Sequence, residues 1–217
     1  MSAICEVDHL VVAAPTLAEG VRWCEATLGI VPGPGGQHPL MGTHNRLFSI
    51  ASAAFPRAYF EIIAIDPAAA PPARARWFGL DTLRLDGGPR LLHFVARTAS
   101  LDAQCDALRA VGLEVGPAIA ASRETPQGRL AWRIAVRDDG DLLAAGALPT
   151  LVEWGARHPT AAMPDSGIAL RAVSLRGLPD QAAKVLKLRG VEVAAGAGPA
   201  LIATLDTPRG TIHLTSI

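Results

Sequence analysis

Two histidines and two glutamates in this sequence sit in stretches where ionisable side chains are costly. His9 lies at the centre of residues 7–13, an apolar and largely β-branched run, and His93 at the centre of residues 90–98, a run of the same kind. Glu61 falls within residues 58–65, where Tyr59, Glu61, Ile63 and Ile65 share one face of an extended chain. Glu153 occupies a similar setting, one carboxylate inside the short apolar run 149–154. A carboxylate buried unpaired on such a face costs several kcal/mol, so each glutamate needs solvent, an arginine or a cation. Imidazole beside carboxylate is also the pairing of general acid–base chemistry. Against this, a lone strand histidine is commonly a hydrogen-bonded core group, and either glutamate has many arginines to pair with.

The elements that position these groups come from a repeated unit. In residues 7–29 an apolar strand is followed by Thr16 and Glu19 at capping-box spacing, and then by Leu17, Val21, Cys24 and Leu28 on one helical face. Gly29 stands where a left-handed cap belongs. The unit restarts at Arg90, with His93 in its strand, Leu101, Cys105 and Leu108 on its helix and Gly112 at its stop. A third, shorter copy begins near Ala169, with Ser174 where the others carry histidine, Leu178, Ala182 and Val185 on the helix face, and Gly190 at the end. His213 falls in its last strand, at a register the sequence leaves open. The expected boundaries are a first module at 1–66, a connector at 67–89, a second module at 90–157, a connector at 158–167 and a third, degenerate βαββ module at 168–217. The Arg/Trp/Phe segment at 74–80 reads as a bridge between modules, with a cover over a site as the alternative. Residues 35–45 form a Gly-rich loop and strand carrying His38, His44 and Asn45, which are candidates for lining a substrate pocket.

The chain has 217 residues, half of them hydrophobic, enough to bury a substantial core. Its formal net charge is zero and its pI is about 7.0, which gives no broad electrostatic attraction to nucleic acid or an anionic membrane. No run of about 18 apolar residues is present and the N-terminal stretch carries Glu6 and Asp8, so a cytoplasmic protein is expected. Arginine far outnumbers lysine and alanine is abundant, a composition that suggests a bacterial source. The three cysteines have no CxxC spacing and read as reduced thiols. Neither GxGxxG, GK[ST], GxSxG nor HExxH occurs.

A βα unit followed by three strands, duplicated with histidine in the first strand and glutamate in the last, resembles the vicinal oxygen chelate superfamily, which includes glyoxalase I, extradiol dioxygenases and bleomycin-resistance proteins. Val-Asp-His-Leu-Val-Val is a common opening of such modules. The stretch from Gly35 to Asn45, then Tyr59-Phe-Glu-Ile-Ile and Leu92-His-Phe-Val-Ala-Arg, is similar to the glyoxalase-like domain group. The resemblance implies an α+β fold of tandem βαβββ modules, with mixed curved sheets, helices outside and a pocket between modules. It also implies a metal set of His9, Glu61, His93 and Glu153, suited to Zn, Mn, Fe, Ni or Co, with Glu61 or Glu153 as the catalytic base. His38 or His44 could replace a member of that set. A metal-dependent lyase, isomerase or dioxygenase acting on a vicinal-oxygen substrate is one expectation. A metal-free binding protein of the bleomycin-resistance kind is the other. In either case the partner is a small molecule, and the odd module count invites a homodimer.

Overall fold

The computed structural model describes residues 4–216. The first module runs β1 (Glu6–Ala13), α1 (Leu17–Leu28), β2 (Gln37–His38), β3 (Thr43–Ser49) and β4 (Tyr59–Ile65). The second repeats the order with β5 (Arg90–Arg97), α2 (Leu101–Arg109), β6 (Ala118–Arg123), β7 (Leu130–Ala135) and β8 (Thr150–Trp154). Within each module the first strand lies parallel to the last, β1 on β4 and β5 on β8. The modules join where β1 and β5 run antiparallel, giving one eight-stranded sheet in the order β2-β3-β4-β1-β5-β8-β7-β6. The order is symmetric about the β1–β5 seam. This is the mixed α+β architecture of paired βαβββ modules.

Local sequence sets the helices. Thr16 Oγ1 accepts the Glu19 N–H at 3.1 Å, and Gly29 closes α1 at φ 82°. Gly20 lets α1 lie close on β4, since a Cβ there would come within 2.4 Å of Ile62 Cγ2. One face of the large sheet, here called the helix face, shares a core with α1 and α2 that includes Leu10, Val12, Leu28, Phe60, Phe94 and Leu108. The opposite face carries Val11, Ile63, Val95, Ile134 and Val152, covered by Trp77 and Phe78 from the 67–89 segment. Phe78 adopts φ 61°, a strained value for a bulky side chain.

The remaining chain forms β9 (Ala169–Arg176), α3 (Asp180–Leu186), β10 (Val191–Ala194), β11 (Leu201–Thr207) and β12 (Gly210–Thr215). Its four strands are ordered β10-β9-β11-β12, so the first strand lies inside the sheet, flanked by a parallel and an antiparallel neighbour. Leu170, Val173, Leu175, Leu186 and Leu205 join the helix-face core of the larger sheet. Glu6 ties the sheets together by accepting from Arg97 and Arg189, each at 2.5 Å.

Candidate functional site

Between the two modules, on the face away from the helices, lies a narrow cleft lined by both of them. Its first-module wall is polar: His9 from β1, Tyr59 and Glu61 from β4, Asn45 from β3 and His38 from β2. Its second-module wall is apolar and aromatic, with Leu130, Trp132 and Ile134 from β7 and Val152 and Trp154 from β8. Trp77 and Phe78 close it from the 67–89 segment, so that segment covers the cleft besides linking the modules.

The polar wall depends on a β-bulge. The register of β1 on β5 slips between Val7 and His9, so Asp8 is the extra residue with no counterpart of its own in β5. Consecutive strand residues ordinarily point to opposite faces. Here Asp8 Oδ1 meets His9 Nδ1 at 2.7 Å, both side chains being buried. The other Asp8 oxygen accepts from Trp154 Nε1 at 3.0 Å and contacts His158 Nε2 at 2.9 Å. Burial acts to raise the Asp8 pKa, but the donors from His158 and His9 outweigh it and hold the carboxyl well below the usual range.

His9 is thereby clamped between two carboxylates. Its ring stacks on Tyr59 with centroids 4.4 Å apart, and Nε2 stands 3.5 Å from Glu61 Oε2. Burial alone would favour the neutral ring. The hydrogen bond to Asp8 and the nearby Glu61 overcome it and push the pKa up to about 9, so both ring nitrogens carry protons at neutral pH. At 3.5 Å the Glu61 contact is too long for a strong hydrogen bond, which leaves the Nε2–H free to bond an incoming oxygen. Burial also acts against ionised Glu61, but His9, His38 and Asn45 more than offset it and lower its pKa. Asn45 Nδ2 donates to Glu61 Oε1 at 2.6 Å, and Asn45 Oδ1 accepts the Gly36 N–H at 2.7 Å, which fixes the amide orientation. His38 is kept neutral chiefly by burial, its pKa pulled down to about 4, with Nδ1 3.0 Å from the Thr43 hydroxyl.

His93 and Glu153 do not join this cluster. His93 Nδ1 bonds the Gly146 carbonyl at 3.0 Å, and Nε2 takes both the Thr150 N–H at 3.0 Å and the Thr150 hydroxyl at 3.1 Å. Burial pulls its pKa down to about 3, so it is a neutral, fully bonded core histidine. Glu153 lies on the helix face, where Oε2 accepts the Leu101 N–H at 2.8 Å at the start of α2 and Oε1 stands 4.0 Å from Arg133. Strand register explains this placement. Val11 pairs with Glu61 across β1–β4, and Val95 pairs with Thr150 across β5–β8. His9 and His93 precede Val11 and Val95 by the same step, so the counterpart of Glu61 is Thr150, while Glu153 has the parity of the opposite face.

The four expected ligands therefore do not fit a divalent ion: one histidine has both nitrogens engaged by the protein, and one carboxylate faces away. Among the described residues no group of three or more His, Cys, Asp or Glu side chains is arranged to hold a metal. Of the expected pocket residues, His38 and Asn45 line the cleft. His44, between them in sequence, does not line it and stands 3.9 Å from Asp66 Oδ1. His213 contacts Thr204 at 3.0 Å in the smaller sheet, outside the cleft. Asp8, Thr150 and His158 are not among the residues the sequence singles out for the site, and the signal for Asp8 is the Val-Asp-His opening.

Fold and cleft together are those of paired βαβββ modules that enclose a cleft across one seam. The sequence model of the glyoxalase-like domain matches residues 7–189, and the chain belongs to that family. No curated protein sequence matches it. Among solved structures, it is similar to a hypothetical protein from Staphylococcus aureus at 13% identity and TM-score 0.60, covering 99% of this chain and 87% of that one. It is also similar to methylmalonyl-CoA epimerase from Mycobacterium tuberculosis, at 19% identity and TM-score 0.41, with 72% and 91% covered. A Streptomyces coelicolor methylmalonyl-CoA epimerase in complex with 2-nitronate-propionyl-CoA gives 19% identity and TM-score 0.45, with 72% and 99% covered. Among the described residues no helix is long and apolar enough to cross a membrane.

Proposed function

We propose that this chain binds a small molecule with a flat apolar body in the cleft between its first two modules, and does so without a divalent metal. The observation that carries the proposal is that Trp77, Trp132 and Trp154 line the same cleft as the His9–Glu61 pair. Indole walls favour a planar partner by stacking and area burial. In a site shielded from water, the His9 Nε2–H and the Glu61 carboxylate orient the ligand's polar end by hydrogen bonding.

Three of the chain's four tryptophans lie at this cleft, so ligand binding reports directly in their emission. Titration with a naphthalene probe in the presence of EDTA is expected to give saturable quenching at one site, weakened in Trp132→Ala. Quenching that appears only after Zn²⁺ or Mn²⁺ is added would overturn the proposal. The 3.5 Å approach of a protonated His9 to an ionised Glu61 favours a second reading, proton transfer on the bound molecule with Glu61 as base and His9 as acid. Glu61→Gln would then keep binding while abolishing turnover.

A further inference from the structure

Arg123, the last residue of β6, has a side chain that the cluster described above does not use. β6 and β2 are opposite edges of the eight-stranded sheet, yet the curvature of the sheet brings them together at the rim of the cleft. The Arg123 guanidinium lies over Gly36, where a Cβ would stand 2.0 Å from Nη1 and 3.0 Å from Cδ. Glycine at 36 is what leaves the slot open. Arg123 lines the cleft, and its Nη1 is buried with no hydrogen-bond partner. A second donor in the same lining, Trp77 Nε1, is also buried and unpartnered.

An arginine stays charged at all accessible pH values, and its planar fork matches the two oxygens of a carboxylate. A buried guanidinium N–H without an acceptor is a standing cost that the fold does not relieve from within. Asp8 and Glu61, the carboxylates of the cluster, are committed to His9, His158, Trp154 and Asn45. The acceptor has to arrive with the ligand.

We infer that Arg123 anchors an anionic oxygen of the bound molecule, so that the cleft selects planar aromatic carboxylates over neutral molecules of the same shape. This rests on the cleft being a small-molecule site, as proposed above. The aromatic wall takes the ring, Arg123 takes the carboxylate at the rim, and Trp77 Nε1 supplies a further donor. Selectivity arises because the neutral analogue leaves the guanidinium without its charged partner.

The test is calorimetric titration of the full chain, in EDTA, with benzoate and 2-naphthoate beside their primary amides. The acids are expected to bind roughly tenfold or more tightly than the amides, the scale of a hydrogen bond to a charged group. In Arg123→Gln the acid and amide should bind alike, and Arg123→Lys should restore part of the preference. Equal binding of acid and amide by the parent overturns this inference and leaves the small-molecule site standing. An acid preference that survives Arg123→Gln also overturns it. Failure of all four probes to bind the parent overturns both.

Discussion

The Thr150 hydroxyl stands 3.1 Å from His93 Nε2 at the position that Glu61, 3.5 Å from His9 Nε2, takes in the other module. The two half-sites are related by the seam, yet one is ionic and the other neutral. Leu92 of β5, the extra residue at a second register slip, takes the place that Asp8 has in β1. The duplicated fold thus carries polar chemistry on one wall and apolar contact on the other.

Asp8 is the structural hub of the polar wall. Asp8→Ala removes the partner of His9, His158 and Trp154 at once and leaves a protonated, buried imidazole with one carboxylate fewer. Breaking a buried ion pair from one side typically costs about 3–5 kcal/mol, and a loss of about 3 kcal/mol is expected in urea unfolding. The His9 pKa, followed by NMR, should fall in this variant. An unchanged titration would remove Asp8 from its assigned role.

Stability should peak near pH 6.5. The His9 pKa is raised when folded, so its contribution is complete below the unfolded value of 6.5 and is lost as pH rises through about 9. His38 and His93 are depressed, to about 4 and about 3, so their contributions are present above 6.5 and are lost as pH falls toward those values. Melting temperatures measured from pH 4 to 10 should fall on both sides of the maximum. His9→Gln should flatten the alkaline limb.

The two glutamates should separate cleanly. Glu153→Ala removes the acceptor of the Leu101 N–H at the start of α2, at a cost of roughly 1 kcal/mol, and leaves probe binding in the cleft unchanged. Glu61→Ala takes a buried partner from His9 and Asn45 and should weaken probe binding as well as stability. Equal effects of the two substitutions on binding would contradict the assigned faces of β4 and β8.

Gly20→Ala tests the close seat of α1. In an exposed helix this change would gain up to about 1 kcal/mol from helix propensity. Here the new methyl meets Ile62 Cγ2 at 2.4 Å, so overpacking should dominate and destabilise by about 1–3 kcal/mol. A thermal melt of the variant decides the sign.

The repeats were readable because strand and helix periodicity are local properties. The Thr16 cap, the Gly29 stop and the buried faces of β1 and β5 all follow from neighbouring residues. His9 and Glu61 could be picked out one by one for the same reason. Their company could not. Glu153 looks like Glu61 within its own strand, and only the pairing of β8 with β5, which depends on residues far apart in sequence, shows that it lies on the other face. Asp8 was hidden because ordinary strand alternation places it opposite His9, and the bulge that turns it inward is set by its partner strand. Trp77 and Phe78 sit in a Pro- and Ala-rich connector whose composition favours a bridge between modules, with the cover they form only the alternative reading, because no local pattern says which surface they pack on.

The seam between β1 and β5 also bears on how the proposed ligand would get in. Because the two walls belong to one hydrogen-bonded sheet, they cannot swing apart as hinged lobes would without tearing the ladder that runs from Glu6 to Ala13. Entry and exit of that ligand would be left to the segments beside the cleft, the turn bearing Trp77 and Phe78 and the loop bearing His158 and Pro159. For the proposed ligand, residence time would therefore depend on those two short stretches of chain, set against the frame that the sheet supplies.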